Sequence, residues 1–275
     1  MPSLWQPVFV ALAAVATLYY SGKFPAVLRK INEIAHGKAG CMPVGDLGNV
    51  TLHYFNLRGR GEAIRVMLAE AQVPYKEVNF DKYTWPEHKK KGTESGLFTF
   101  GQVPAMETES GVRLAQSQAV LHYIGRATGM DCDCDDMHFC EVLAQGVEDV
   151  QRQYGTMIYN PDFRLKDRND YLSDYLPLWL GYFERIAPPL TKQKDAYFAS
   201  DRLTWVDFLI FDLLDVNMEF SQYDLGNSAA KVNVLSALPK LNNFYTQMRD
   251  RPRIATYLRS NRRFPYHLPY TPKAS

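Results

Sequence analysis

The chain has 275 residues, 46% of them hydrophobic, enough for one large domain or two small ones built round a real core. Its 31 Lys and Arg against 30 Asp and Glu nearly cancel, so no field of one sign spans the molecule, which speaks against nucleic acid as a partner.

The first distinctive segment is Leu4 to Tyr20 (LWQPVFVALAAVATLYY), which carries no charge. Its seventeen residues stand at the short limit for crossing a bilayer, with Phe24 to Leu28 adding apolar material. Lys23, Arg29, Lys30 and Lys38 follow it against a single Glu33, and such basic flanks are kept cytoplasmic. Residues 1–40 are therefore read as a membrane anchor and linker that leave the folded part facing the cytoplasm. A cleaved or organelle-targeting segment is the alternative: Ala14-Val15-Ala16 resembles a cleavage site, although no basic residue precedes the apolar run.

From residue 48 to about 130 the pattern mixes strand-like and helical stretches. Thr51 to Phe55 reads as a strand, Glu62 to Gln72 as a helix with Ile64, Met67, Leu68 and Ala71 on one face, and Tyr75 to Phe80 as a second strand. A polar stretch holding Trp85 and the run Lys89-Lys90-Lys91 comes next. Val103 to Glu107 and Val112 to Ala115 form a hairpin, and Ser117 to Thr128 a helix stopped by Gly129. Parallel strands joined by a crossover helix and followed by an antiparallel hairpin describe a thioredoxin-like layer.

Between the halves Cys132, Cys134, His138 and Cys140 crowd together with several aspartates. Their donors are soft enough for zinc, but the well-separated CxxC-like pairs of a structural zinc site are missing. Reduced thiols in a polar connector, with no metal, are expected.

Residues 136–265 form a second domain, in which the apolar spacing from Met137 onward is almost entirely helical. Met137 to Tyr159, Tyr171 to Ile186, Thr204 to Phe220, Pro239 to Arg249 and Pro252 to Leu258 predict an α-helical bundle, followed by a tail at residues 266–275. Thr204-Trp205-Val206-Asp207 sets a hydroxyl three residues before a carboxylate, the spacing of a reciprocal helix cap. The fold class is thus an α/β, thioredoxin-like N-terminal domain followed by an all-α C-terminal domain.

Directly after the first strand stands Tyr54-Phe55-Asn56-Leu57-Arg58-Gly59-Arg60-Gly61-Glu62. Trp85-Pro86-Glu87-His88-Lys89, Gly101-Gln102-Val103-Pro104 and Gln116-Ser117 follow in order, then Gly146-Val147-Glu148-Asp149-Val150 and Tyr154 through Tyr159. Over residues 48–265 this chain resembles the tyrosine-dependent, cytosolic-type glutathione transferases, with features of both the sigma and the pi class.

The resemblance implies glutathione as a substrate, with no metal, and a small hydrophobic electrophile as its partner in the reaction. A glutathione thiol with a pKa near 8.5 is mostly protonated at neutral pH, so the site must stabilise the thiolate. Tyr54 is expected to do this through its hydroxyl, assisted by the charge of Arg60. Glutathione would be held by Trp85, Lys89 (or Lys90 or Lys91), Gln102, a cis Val103-Pro104 peptide, Gln116 and Ser117. Asp149 would reach a partner's ligand across a two-fold homodimer. Phe55, Leu57, Tyr154 and Tyr159 would line the second-substrate pocket. A glutathione-dependent isomerase or peroxidase of the sigma type, and a non-catalytic ligand binder on the same fold, are the rival readings.

Overall fold

The computed structural model describes residues 47–190, 197–225 and 230–273. The apolar run at residues 4–20 lies outside them. Among the described residues no helix is long and apolar enough to cross a membrane.

Val44–Ser275 form one unit. Its first half is a four-stranded sheet in the order β2-β1-β3-β4, built from β1 (Val50–Phe55), β2 (Tyr75–Phe80), β3 (Ala105–Thr108) and β4 (Arg113–Ala115). β1 runs parallel to β2, with Val50 opposite Tyr75, and antiparallel to β3, with Val50 opposite Thr108. β1 is thus paired along both edges, and both its faces are covered as well. Val50 and Leu52 are fully buried with Ile64, Met67 and Leu68 of α1 (Glu62–Ala71), while on the other face a smaller core of Phe80, Phe98 and Ala105 packs Phe55 and Trp85.

The polar stretch after β2 is a helix, α2 (Trp85–Glu94). No apolar stripe announces it, because the one buried residue in it is Gly92, which lies flat on the Phe98 ring. It is begun instead by Asp81, whose carboxylate accepts the N–H groups of Tyr83 and Thr84 at 2.8 Å, and is braced by the Glu87–Lys91 pair one turn apart. α3 (Ser117–Thr128) then ends at Gly129, whose φ of 74° closes the turn.

The second half holds α4 (Met137–Ile158), α5 (Leu165–Asp170), a π-helical turn at Tyr171–Tyr175, α6 (Leu176–Ile186), α7 (Trp205–Gln222), α8 (Pro239–Asp250) and α9 (Pro252–Leu258). The helix expected from Tyr171 starts six residues earlier, at Leu165. α5 shows no periodicity in sequence because the side chain it buries is Arg168. α7 is the central helix, with Val206, Ile210, Leu213 and Leu214 fully buried. It begins where the cap spacing places it: the backbone N–H and the hydroxyl of Thr204 both reach Asp207 Oδ2 at 2.8 Å.

One expectation is corrected. Cys132 and Cys140 are joined in a disulfide rather than held as reduced thiols. The expectation came from compartment, not geometry; a turn in which Asp136 N–H bonds to Asp133 C=O folds the connector back onto the start of α4. This leaves the two Cα atoms 6.6 Å apart, within bridging reach.

Candidate functional site

Tyr54 is the last residue but one of β1 and is only 6% exposed. Its oxygen accepts the backbone N–H of Arg60 at 2.9 Å, which leaves the phenol's own proton free to be donated outward. Burial raises its pKa well above the ordinary phenol range, so at neutral pH it is a protonated donor.

The turn after β1 wraps this ring closely. A Cβ on Gly59 would lie 2.6 Å from the Tyr54 hydroxyl, and one on Gly61 2.6 Å from Tyr54 Cδ1. The same turn is pinned from beneath by Arg65, fully buried on α1. Its guanidinium donates to the carbonyls of Leu57 at 2.9 Å and Arg58 at 3.3 Å and pairs with Glu77. In sequence Arg65 is only a charge beside an apolar helix face.

Two cavities meet here. The first, about 490 Å³, is lined by Trp85, Lys89, Gln102, Val103, Pro104, Gln116 and Ser117, every residue expected to hold glutathione except Asp149, together with Arg60 and Phe55. The Val103-Pro104 peptide is cis. Lys89 reaches this cleft across Gly101; Lys90 and Lys91 do not line it, and Lys91 is paired with Glu87. Gln116 takes a φ of 74°, sparsely populated for a side-chain-bearing residue, and thereby enters α3 with the first N–H groups of that helix beside Ser117.

Glu148, which the sequence did not single out, lines the first cavity and grips the Arg60 guanidinium with both oxygens, one contact at 2.8 Å. Its neighbour Asp149 turns away from the cleft and pairs with Arg152 on its own helix. The charge of Arg60 is therefore oriented by a carboxylate rather than left free.

The second cavity, about 760 Å³, is lined by Tyr54, Phe55, Leu57, Tyr154 and Tyr159, so the four side chains expected round a second substrate share one wall system with the phenol. Phe55, Arg60 and Trp85 belong to both cavities. The C-terminal segment supplies Tyr266 and His267 to the second, with the Tyr154 and Tyr266 hydroxyls 2.6 Å apart. A polar cleft meeting an apolar one at a buried phenol donor can stabilise an anion in the first and expose it to an apolar molecule in the second.

Known proteins agree with this layout. The family description "Glutathione S-transferase, N-terminal domain" matches residues 50–126, and "Glutathione S-transferase, C-terminal domain" matches residues 148–261. The chain is 28% identical to glutathione S-transferase P 1 of Xenopus laevis, over 81% of this chain and 96% of that protein. It is 27% identical to glutathione S-transferase Mu 4 of Homo sapiens, over 79% and 94%. The pi-class glutathione S-transferase structure of Onchocerca volvulus superposes with a TM-score of 0.63 at 23% identity, covering 76% of this chain and 91% of that one, and so shares the fold. With the N-terminal and C-terminal domains of one family matched in order onto the two halves of the structure, the chain is an enzyme of the glutathione S-transferase family.

Proposed function

We propose that the enzyme conjugates glutathione to small apolar electrophiles, with Tyr54 stabilising the thiolate. The observation that carries this reading is the buried Tyr54 hydroxyl, held by Arg60 N–H beside the residues common to both cavities. Glutathione lies in the first cavity, its backbone against Val103-Pro104, its γ-glutamyl carboxylate at Gln116 and Ser117, and its glycine end at Trp85, Lys89 and Gln102. Its thiol loses the proton to solvent, the thiolate accepts the Tyr54 O–H, and sulfur forms a bond to the electrophilic carbon as the leaving group departs with its electron pair. The pi and mu names of the relatives favour a pi-like class over a sigma-like one.

Tyr54→Phe is expected to lower conjugation to an aryl halide about a hundredfold, the usual effect of removing one donor from a developing anion. Calorimetry on the same variant is expected to show glutathione binding retained. Wild-type binding without conjugation, or turnover of lipid hydroperoxides alone, would replace the transfer reading with a binder or a peroxidase.

We also read the chain as a homodimer in which Asp149 serves the partner's cleft. Val142, Leu178 and Tyr182, 63%, 53% and 44% exposed on α4 and α6, support an unfilled face there. A monomer in sedimentation at micromolar concentration would remove this reading. Residues 4–20 are proposed to hold the enzyme on a membrane with its fold in the cytoplasm. That placement requires Cys132 and Cys140 to be reduced in cells, whereas an oxidised pair favours the cleaved or targeting segment. Thiol trapping combined with carbonate extraction separates the two.

A further inference from the structure

Asp212 and Asp215 line the second cavity, and the acidic side chains round them nearly all face a guanidinium. Glu62 takes the Arg263 Nε–H at 3.1 Å and stands 3.6 Å from Arg65. Asp215 is paired with Arg263 and accepts the Tyr245 hydroxyl at 3.0 Å. Glu219 lies 3.1 Å from Arg58, and Glu148 holds Arg60. Asp212 differs. It sits on α7, lines the cavity and is 6% exposed, yet among the described residues no Lys or Arg pairs with it. Its hydrogen-bond partner is the amide of Gln151, 3.3 Å from Oδ2, a residue that also lines the cavity.

We propose that Asp212 is a specificity-determining residue for the second substrate, donating a hydrogen bond from its carboxyl into the apolar cavity and so selecting electrophiles that carry an acceptor oxygen, above all α,β-unsaturated carbonyls. Gln151 donates to one carboxyl oxygen, and the proton resides on the other. Charge on this carboxyl is opposed by its burial and by Glu62 of α1 and Asp215 of α7. Arg263 of the C-terminal segment and Arg58 of the turn after β1 act the other way, as does Arg60. Burial leads, and the group is raised well above the usual carboxylate range. A protonated carboxyl in an apolar wall is a donor that water does not saturate.

In the reaction the thiolate sulfur bonds to the β-carbon of the unsaturated carbonyl, the carbon–carbon π pair shifts to join the α-carbon to the carbonyl carbon, and the carbonyl π pair moves onto oxygen. The hydrogen bond from Asp212 therefore strengthens as negative charge gathers there. Asp212 keeps its proton; water later protonates the α-carbon. An alkyl halide, whose leaving halide departs elsewhere, has no oxygen for Asp212 to hold.

The inference rests on the thiol-transfer reading, and its test separates the two. Wild type, Asp212→Leu and Asp212→Asn are assayed as full chains with trans-2-nonenal and with benzyl chloride at neutral pH. Asp212→Leu is expected to lower the ratio of kcat/KM for nonenal over benzyl chloride about tenfold, with the KM for glutathione unchanged. Asp212→Asn, whose amide also donates, keeps that ratio. Equal loss on both substrates, or an unchanged ratio in Asp212→Leu, overturns the proposal. Should Asp212→Leu fail to fold, a roughly tenfold fall of that ratio in Asp212→Asn, whose amide keeps a donor at the same place, overturns it alone. A wild type that conjugates neither substrate overturns the transfer reading and this role with it, whereas benzyl chloride turnover without discrimination removes only the role of Asp212.

Discussion

Gly61 has a φ of −84° and a ψ of −16°, a backbone any residue adopts, so its identity is a matter of space rather than conformation. The space belongs to Tyr54, whose Cδ1 would stand 2.6 Å from an added Cβ. Gly61→Ala must therefore push the ring or the turn, and a displacement of that order moves the hydroxyl away from where a thiolate forms. Conjugation is expected to fall about a hundredfold, stability by about 1–3 kcal/mol, and glutathione affinity by less than about threefold; full activity in the variant would show that the turn does not set the phenol. Tyr54 and Arg60 were legible because they sit in a contiguous run after a strand. Glu148 was not, because its neighbour Asp149 carries the same charge. Successive helical residues point about 100° apart, and nothing in the sequence says which of two adjacent carboxylates faces Arg60 and which faces Arg152.

Elements were readable in sequence where the signal is local and periodic. β2 and α9 occupy the residues their patterns predict, and Thr204 and Asp207 begin α7 because a reciprocal cap needs only a three-residue spacing. α2 and α5 escaped because each is held by something other than an apolar stripe: Gly92 against Phe98 in one, buried Arg168 in the other. Arg168 donates to the carbonyl of Ser221 at 2.9 Å and lies over the Phe220 ring, so a charged residue takes a core position that hydropathy assigns to solvent. The disulfide was hidden for another reason. Cys132 and Cys140 are eight residues apart, and their approach depends on a turn made by aspartates that on composition alone describe a solvated connector. The cavity walls contributed by Tyr266 and His267 were equally hidden, since Arg58 must first anchor the tail through the Phe264 carbonyl at 2.7 Å.

At the scale of the molecule, the sheet-bearing and helical halves are tied by arginines that cross from late in the chain to early carboxylates. Arg251 pairs with Glu70 at 2.6 Å and donates to the Tyr197 hydroxyl at 2.7 Å, and Arg253 donates to the Glu70 carbonyl at 2.8 Å. Arg263 does more, because it serves Glu62 on α1 and Asp215 on α7 together, and both carboxylates are nearly inaccessible. Buried pairs of this kind add little over a well-packed apolar substitute, but removing one partner strands the other. Arg263→Leu takes the nearest guanidinium from two carboxylates, leaving Glu62 with Arg65 at 3.6 Å and Asp215 with Arg58 at 3.8 Å. Urea unfolding at pH 7 is expected to show a loss of about 3–5 kcal/mol in a single transition of unchanged slope. The pH dependence of that loss identifies its cause. Burial already raises the Glu62 pKa while Arg263 and Arg65 pull it down, so removing Arg263 raises it further above the unfolded value. A group raised in the folded state binds protons there that the unfolded chain has released, and the stability deficit grows as pH rises through that interval and shrinks as pH falls towards the unfolded carboxylate value of about 4.3. Unfolding curves at pH 7 and pH 5 should therefore converge for wild type and variant on the acid side. A deficit independent of pH would mean that Arg263 contributes by packing alone, and two separated transitions would mean that its loss uncouples the halves.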